Sequence, residues 1–239
     1  MSKVIIVTGG TGYLGREISN VLAKAGNKIY IPSRDIEKFK SIFDTSQSGD
    51  NYSYNKIYSF ECNTGEIKSV KEFVSSVSKI EKGKIDCLIN TIGSIHTPVD
   101  ITDSDDNIFD EYININLRPA YYFSKEVAKV MKKNNYGRIV SISSLASLKI
   151  SSGLFFYSMT KNALNFLMNT LSEELKNNNI RCNTIIPGII DTPDNRKWGS
   201  EEDIKKWVST QSIAGVINNL ISEDFDNVHS SEIKISGNL

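Results

Sequence analysis

The chain has 239 residues, and 28 lysines and arginines balance 28 aspartates and glutamates, for a formal net charge of zero. Such a balance gives no long-range pull toward nucleic acid or an anionic membrane, so neither is expected as a partner. With 39% hydrophobic and 23% charged residues, the composition is that of an ordinary globular domain able to bury a core.

Cys62, Cys87 and Cys182 are widely spaced and form no CxxC pair. They are expected to be buried free thiols of a protein in a reducing compartment, which places it in the cytoplasm. With His96 and His229 as the only histidines, a zinc site lacks its usual ligands, and no metal is expected. The apolar run Val4-Ile5-Ile6-Val7 is too short for a signal peptide, and no later stretch approaches a membrane span.

In chain order, short β-rich runs alternate with amphipathic segments. The first strand is expected at residues 3–8 and runs into Thr8-Gly9-Gly10-Thr11-Gly12-Tyr13-Leu14-Gly15, with a helix beginning near Arg16. Glycines at a strand-to-helix turn let backbone approach a pyrophosphate at the helix N-terminus. The second strand, 28–31, ends in Pro32-Ser33-Arg34. An acid there would bind a ribose 2′-hydroxyl and favour NAD. Arg34 instead suits a 2′-phosphate, so NADP(H) is favoured and NAD(H) kept as the alternative. The lesser alternative is that Arg34 is a surface arginine capping the next helix, and Asp35 could face the ribose instead.

The polar stretch 44–55 reads as a loop. A strand at 56–61 precedes a helix at 66–81, where Ile67, Val70, Phe73, Val74, Val77 and Ile80 recur at helical spacing. Strands follow at 85–90, 138–142, 180–186 and 232–235. Another helix, 155–176, carries Leu164, Leu167, Met168, Leu171 and Leu175 on one face. This alternation predicts an α/β fold, a doubly wound seven-stranded parallel sheet with helices on both faces. No linker interrupts it, so residues 1–239 read as a single domain. An excursion at about 188–210, with Trp198 and Trp207, is placed to cover a ligand as a lid.

Tyr157 and Lys161 fall at i and i+4 on one helix face. A nearby ammonium favours a phenolate, bringing a tyrosine into a useful acid–base range. Ser144 lies just past the fifth strand, at the sheet edge where ligands bind.

Taken together, these motifs resemble the short-chain dehydrogenase/reductase family in its compact, single Rossmann-domain form. The resemblance spans nearly the whole chain. It includes the glycine turn, Asn90-Thr91-Ile92-Gly93, Asn116, Ser144, Tyr157, Lys161 and Pro187-Gly188-Ile189-Ile190-Asp191-Thr192. It implies that Tyr157 is the general acid, Lys161 binds the nicotinamide ribose and lowers the Tyr157 pKa, and Ser144 bonds the reacting oxygen. Asn116 would hold a water linking Lys161 to solvent. The cofactor would be held by Gly9, Thr11, Gly12, Tyr13, Leu14, Gly15, Ser33, Arg34, Asn63, Thr64, Asn90, Gly93, Tyr157, Lys161, Pro187, Gly188, Ile190 and Thr192.

The family pattern is not followed throughout. The GxxGxxG spacing is that of larger branches with a substrate domain, and Thr91 and Ile92 are bulkier than usual and would narrow the cleft. The glycine turn and lid are similar to those of the dihydropteridine reductase branch, which lacks a serine at position 144. The function implied is NAD(P)H-dependent reduction of a C=O or C=N group in a small molecule. Candidates are a 3-oxoacyl thioester, a ketone or aldehyde, a sugar and a pterin. The alternative is an NADP(H)-binding sensor without turnover. Family members pair through the helices at 110–133 and 155–176, so a homodimer or homotetramer is implied.

Overall fold

A computed structural model describes residues 2–43 and 56–237, so the expected loop at 44–55 lies outside the described residues. The strands are β1 (Val4–Thr8), β2 (Lys28–Ser33), β3 (Ile57–Glu61), β4 (Cys87–Asn90), β5 (Gly137–Ile142), β6 (Ile180–Pro187) and β7 (Glu232–Ile235). They form one parallel sheet in the order β3-β2-β1-β4-β5-β6-β7. The main helices are α1 (Tyr13–Lys24), α2 (Ile36–Phe43), α3 (Ile67–Ile80), α4 (Ile108–Tyr112), α5 (Arg118–Asn134) and α6 (Phe155–Leu175). Two short ones, α7 (Pro193–Arg196) and α8 (Glu201–Ile204), precede α9 (Thr210–Leu220).

Each face of the sheet has its own core. On one, Val70, Phe73, Val74 and Val77 of α3 join Phe123 and Met131 of α5 and Leu164 and Met168 of α6. On the other, Ile18 and Leu22 of α1 meet Ile213, Ile217 and Leu220 of α9. The central strands are buried along nearly their whole length because both their faces are covered, and β1 and β4 are mostly apolar. The three cysteines are buried free thiols, and burial pushes Cys87 and Cys182 up to about 12 and Cys62 to about 11.

Seven strands were expected and seven form among the described residues, with ends that differ by a residue or two. β2 runs on through Pro32 to Ser33. β1 pairs with β2 only as far as Tyr30, so Pro32 has β3 as its one neighbour and its missing N–H leaves no gap. α1 starts at Tyr13 instead of near Arg16, because the glycine turn is compact and Gly12 is already the N-cap. Strand order reverses between β1 and β4, where Thr8 lies beside Asn90. This is the crevice at the carboxyl edge where such sheets hold ligands.

Candidate active site

The turn after β1 is drawn in tightly. Gly9 has φ +69° and its carbonyl accepts from Gly12 N at 3.0 Å. A Cβ on Gly15 would stand 2.3 Å from that same carbonyl, so only glycine lets α1 start so close to the strand. Gly12 caps α1 without a side chain, and no acid occupies the first turn. The free N–H groups of a twelve-residue helix therefore face the crevice, a cradle that suits a phosphate. Thr11 and Leu14 are half-buried beside it, and Tyr13 is exposed. The bulk of Thr91 is absorbed by the fold, since its hydroxyl donates to Thr8 O at 2.6 Å and packs under Gly9.

At the end of β2, the Ser33 hydroxyl is buried and bonded to Asp35 O at 2.7 Å. Asp35 itself caps α2, its Oδ1 accepting from Lys38 N at 2.8 Å. The helix cap is thus Asp35 and not Arg34. Arg34 is exposed and has no hydrogen-bond or ion-pair partner among the described residues. Asn63 is turned toward its own loop, its amide accepting from Gly65 N and donating to Glu66 Oε1, with Thr64 half-buried beside it. Asn90 is 3% exposed and donates inward to Ser124 and Ser141, so what it offers the crevice is main chain.

Ser144, Tyr157, Lys161 and Asn116 come together where β4, β5 and α6 meet. Ser144 Oγ accepts from Ala146 N at 3.2 Å, which leaves its proton free to bond the Tyr157 phenol. The Lys161 ammonium lies 5.8 Å from the centre of the Tyr157 ring and donates to Ile142 O at 3.1 Å. Gly93 is the hinge of the group. A Cβ there would stand 2.7 Å from Lys161 Nζ and 2.9 Å from Asn116 Oδ1, so a bare backbone is what lets both approach.

Asn116 reaches this point through a feature the sequence pattern did not signal. Residues Ile113–Leu117 form a π-helical turn between α4 and α5. The wider turn rotates the buried Asn116 amide toward the strap after β4, where it accepts from Ser94 N at 2.7 Å and donates to Ser94 O at 3.0 Å.

Burial sets the electrostatics. It holds the Tyr157 phenol above its ordinary range, opposed by the hydrogen bond from Ser144. It lowers Lys161 to about 8, because no carboxylate accompanies the ammonium into the interior. Desolvation is thus the largest influence on Tyr157, and a protonated tyrosine sits beside a lysine whose own pKa burial has lowered.

Ser144 and Tyr157 open onto a cleft of about 450 Å³ whose other walls include Ile95, Leu154, Pro187, Gly188 and Ile190. The segment after β6 forms the far wall. Ile190 bridges to Val208, and Thr192 caps α7 by accepting from Asn195 N at 3.3 Å. Its tryptophans differ. Trp207 is 8% exposed and packs under Gly199, while Trp198 is 64% exposed and borders the cleft, the rings 5.0 Å apart. His96 is exposed near the mouth, its ring against Tyr112.

The chain matches the family model described as short chain dehydrogenase over residues 3–203. It is 28% identical to a 7α-hydroxysteroid dehydrogenase of Bacteroides fragilis, over 100% of this chain and 94% of that protein. It is 32% identical to a 3-ketodihydrosphingosine reductase of Dictyostelium discoideum, over 89% of this chain and 66% of the other. Among solved structures, ElxO with NADP bound superposes with a TM-score of 0.89 at 25% identity, covering 99% and 98% of the two chains. An NAD+-bound xylitol dehydrogenase gives 0.86 at 25% identity, with 98% coverage of each. The fold, the crevice and these matches agree, and the chain belongs to the short-chain dehydrogenase family, whose members are NAD(P)-dependent oxidoreductases.

Proposed function

We propose that the protein is an NADPH-dependent reductase of a small-molecule C=O or C=N group, with Tyr157 as proton donor. The observation that carries this reading is a half-buried, protonated Tyr157 that lines one cleft together with Ser144, with the Lys161 ammonium 5.8 Å behind its ring. When bound, the reduced nicotinamide supplies a hydride to the electrophilic carbon. Tyr157 gives its proton to the substrate oxygen or nitrogen, so a ketone becomes an alcohol. Ser144 bonds the same oxygen and holds it as negative charge develops. Lys161 would bind the ribose hydroxyls, and Asn116 would hold a water that reprotonates Tyr157 by way of Lys161.

The α1 N-terminus, with Gly9, Thr11, Gly12 and Gly15, would hold the diphosphate, and Tyr13 and Leu14 flank it. Ser33 and Arg34 would take a 2′-phosphate, Asn63 and Thr64 the adenine, and Asn90 and Gly93 the adenosine side of the crevice. Pro187, Gly188, Ile190 and Thr192 would position the carboxamide, with 188–210 as the lid. NADPH is favoured over NADH because Arg34 is unpaired while Asp35 is committed to α2. The retained tyrosine, lysine, serine and asparagine favour turnover over a sensor role.

A second copy of the chain would cover the α5–α6 face, where Phe166 is 74% and Tyr121 44% exposed. No helix among the described residues is long and apolar enough to cross a membrane. The free cysteines fit a reducing cytoplasm.

The test is oxidation of NADPH and NADH by the purified protein with a panel of ketones, aldehydes, an acetoacetyl thioester and a quinonoid dihydropterin. Turnover with NADPH, and a switch toward NADH in Arg34→Asp, supports the reading. NADPH binding with no turnover across the panel favours the sensor, and better turnover with NADH removes the Arg34 argument.

A further inference from the structure

The far side of the cleft has a chemistry of its own. Its walls are largely apolar (Ile95, Leu145, Leu154 and Trp198), and no carboxylate among the described residues lines it. One side chain there carries a fixed charge, that of Lys149, which is exposed and has no hydrogen-bond or ion-pair partner among the described residues. Two acids of the segment after β6 are already matched, Asp191 taking both its bonds from Arg196 and Asp194 pairing with Lys197. Asp100 accepts from Ser152 Oγ at 2.7 Å and lines a neighbouring cavity with Lys149, outside the cleft. An ammonium without an ion-pair partner therefore borders the cleft that also holds the proton donor.

Trp198 supplies the second half of the argument. Its neighbour Trp207 is anchored in the body of the protein, and the Trp198 indole, tilted 44° against that ring, borders the cleft and stays largely exposed. An exposed indole in such a place gains most from a flat apolar partner.

We propose that the substrate is a carbonyl compound with a flat apolar body and an anionic group, the body lying against Trp198 and the anion pairing with Lys149. The inference rests on the reductase reading above and names its substrate class. A cleft of about 450 Å³ is roughly 10 Å across, so carbonyl and anion are separated by about one six-membered ring.

The probes are 4-acetylbenzoate and its methyl ester, reduced with NADPH. The ester has the more electrophilic ketone, so a preference for the carboxylate is a binding effect. The expected kcat/KM ratio of acid to ester exceeds that of Lys149→Met by about tenfold, the size of a charge-assisted hydrogen bond. Lys149→Arg keeps the ratio, Lys149→Glu reverses it, and raising salt shrinks it. Trp198→Ala raises KM for both compounds and leaves the ratio alone. Equal ratios in the parent protein and Lys149→Met overturn the proposal.

Calorimetric binding of 4-(1-hydroxyethyl)benzoate and its ester to the protein with NADP+ separates this from the reductase reading. Lys149-dependent binding of the acid without turnover upholds the anion site and removes the reductase. Acid and ester binding alike, or neither binding, removes the anion site whatever the turnover.

Discussion

The two edges of the sheet treat buried charge in opposite ways. At the amino edge three ions buried or half-buried among the described residues have counter-ions. Arg138, 1% exposed at the start of β5, pairs with Asp226, donates to the carbonyls of Gly137 and Asn179, and lies 4.4 Å from the Tyr136 ring. Glu81 receives Lys28 at 2.9 Å and the Tyr30 hydroxyl at 2.6 Å, and Asp86 receives Val4 N at 2.7 Å with Lys84 beside it. At the carboxyl edge Lys161 is 4% exposed, donates to the Ile142 carbonyl and has no ion-pair partner among the described residues. Burial without a counter-ion shifts a pKa, and burial with one fixes structure. The first arrangement belongs to a site that moves protons, the second to a scaffold.

The largest expected effect is on chemistry. Tyr157→Phe should lower kcat for NADPH-dependent reduction by about a thousandfold, within the range of general acid catalysis, while fluorescence titration shows cofactor affinity unchanged within a few fold. Retained kcat would remove Tyr157 from the proton transfer.

Next comes a pair of substitutions whose stability effects should have opposite signs. Arg138→Met strands two carbonyls and Asp226, and should cost about 3 kcal/mol in urea unfolding, with the Lys161 titration unmoved. Lys161 has a folded pKa of about 8 against an ordinary value of 10.5. The folded state therefore binds fewer protons than the unfolded state between those values. The cost of burying the charge is fully present below pH 8 and fades as pH rises toward 10.5. Lys161→Met should accordingly stabilise the protein at pH 7, on the order of 3 kcal/mol, with no gain above pH 10.5, while abolishing activity. Two destabilising results would break the contrast between the edges.

Smaller effects should follow at the contact points. Gly93→Ala puts a methyl against Lys161 Nζ and Asn116 Oδ1, and should reduce kcat/KM for NADPH about tenfold with little change in melting temperature.

Much of the scaffold was readable from sequence because burial on both faces leaves unbroken apolar runs such as Val4-Ile5-Ile6-Val7, and glycines mark the turn that follows. On α3, Val70, Phe73, Val74 and Val77 are buried as their spacing implies, but Ile80, on the same stripe, is 53% exposed because the helix ends there. The π-helical turn at Asn116 was not readable, since an extra residue in a helix leaves no compositional mark. Nor was the role of Arg138, which in sequence is one charge at a strand start, its value coming from Asp226 far along the chain. The tryptophans carry identical local signals and end as an anchor and a bare wall, a difference fixed by tertiary packing alone.

The most direct measurement is kcat/KM for NADPH between pH 6 and 10, which reports titrating groups of the free enzyme. The account predicts a plateau below pH 7.5 and a tenfold fall per unit above about pH 8, as the Lys161 cation that would grip the cofactor is lost. A profile flat to pH 10 would contradict it, showing that the lysine keeps its proton in spite of its burial or that its charge plays no part in holding the cofactor.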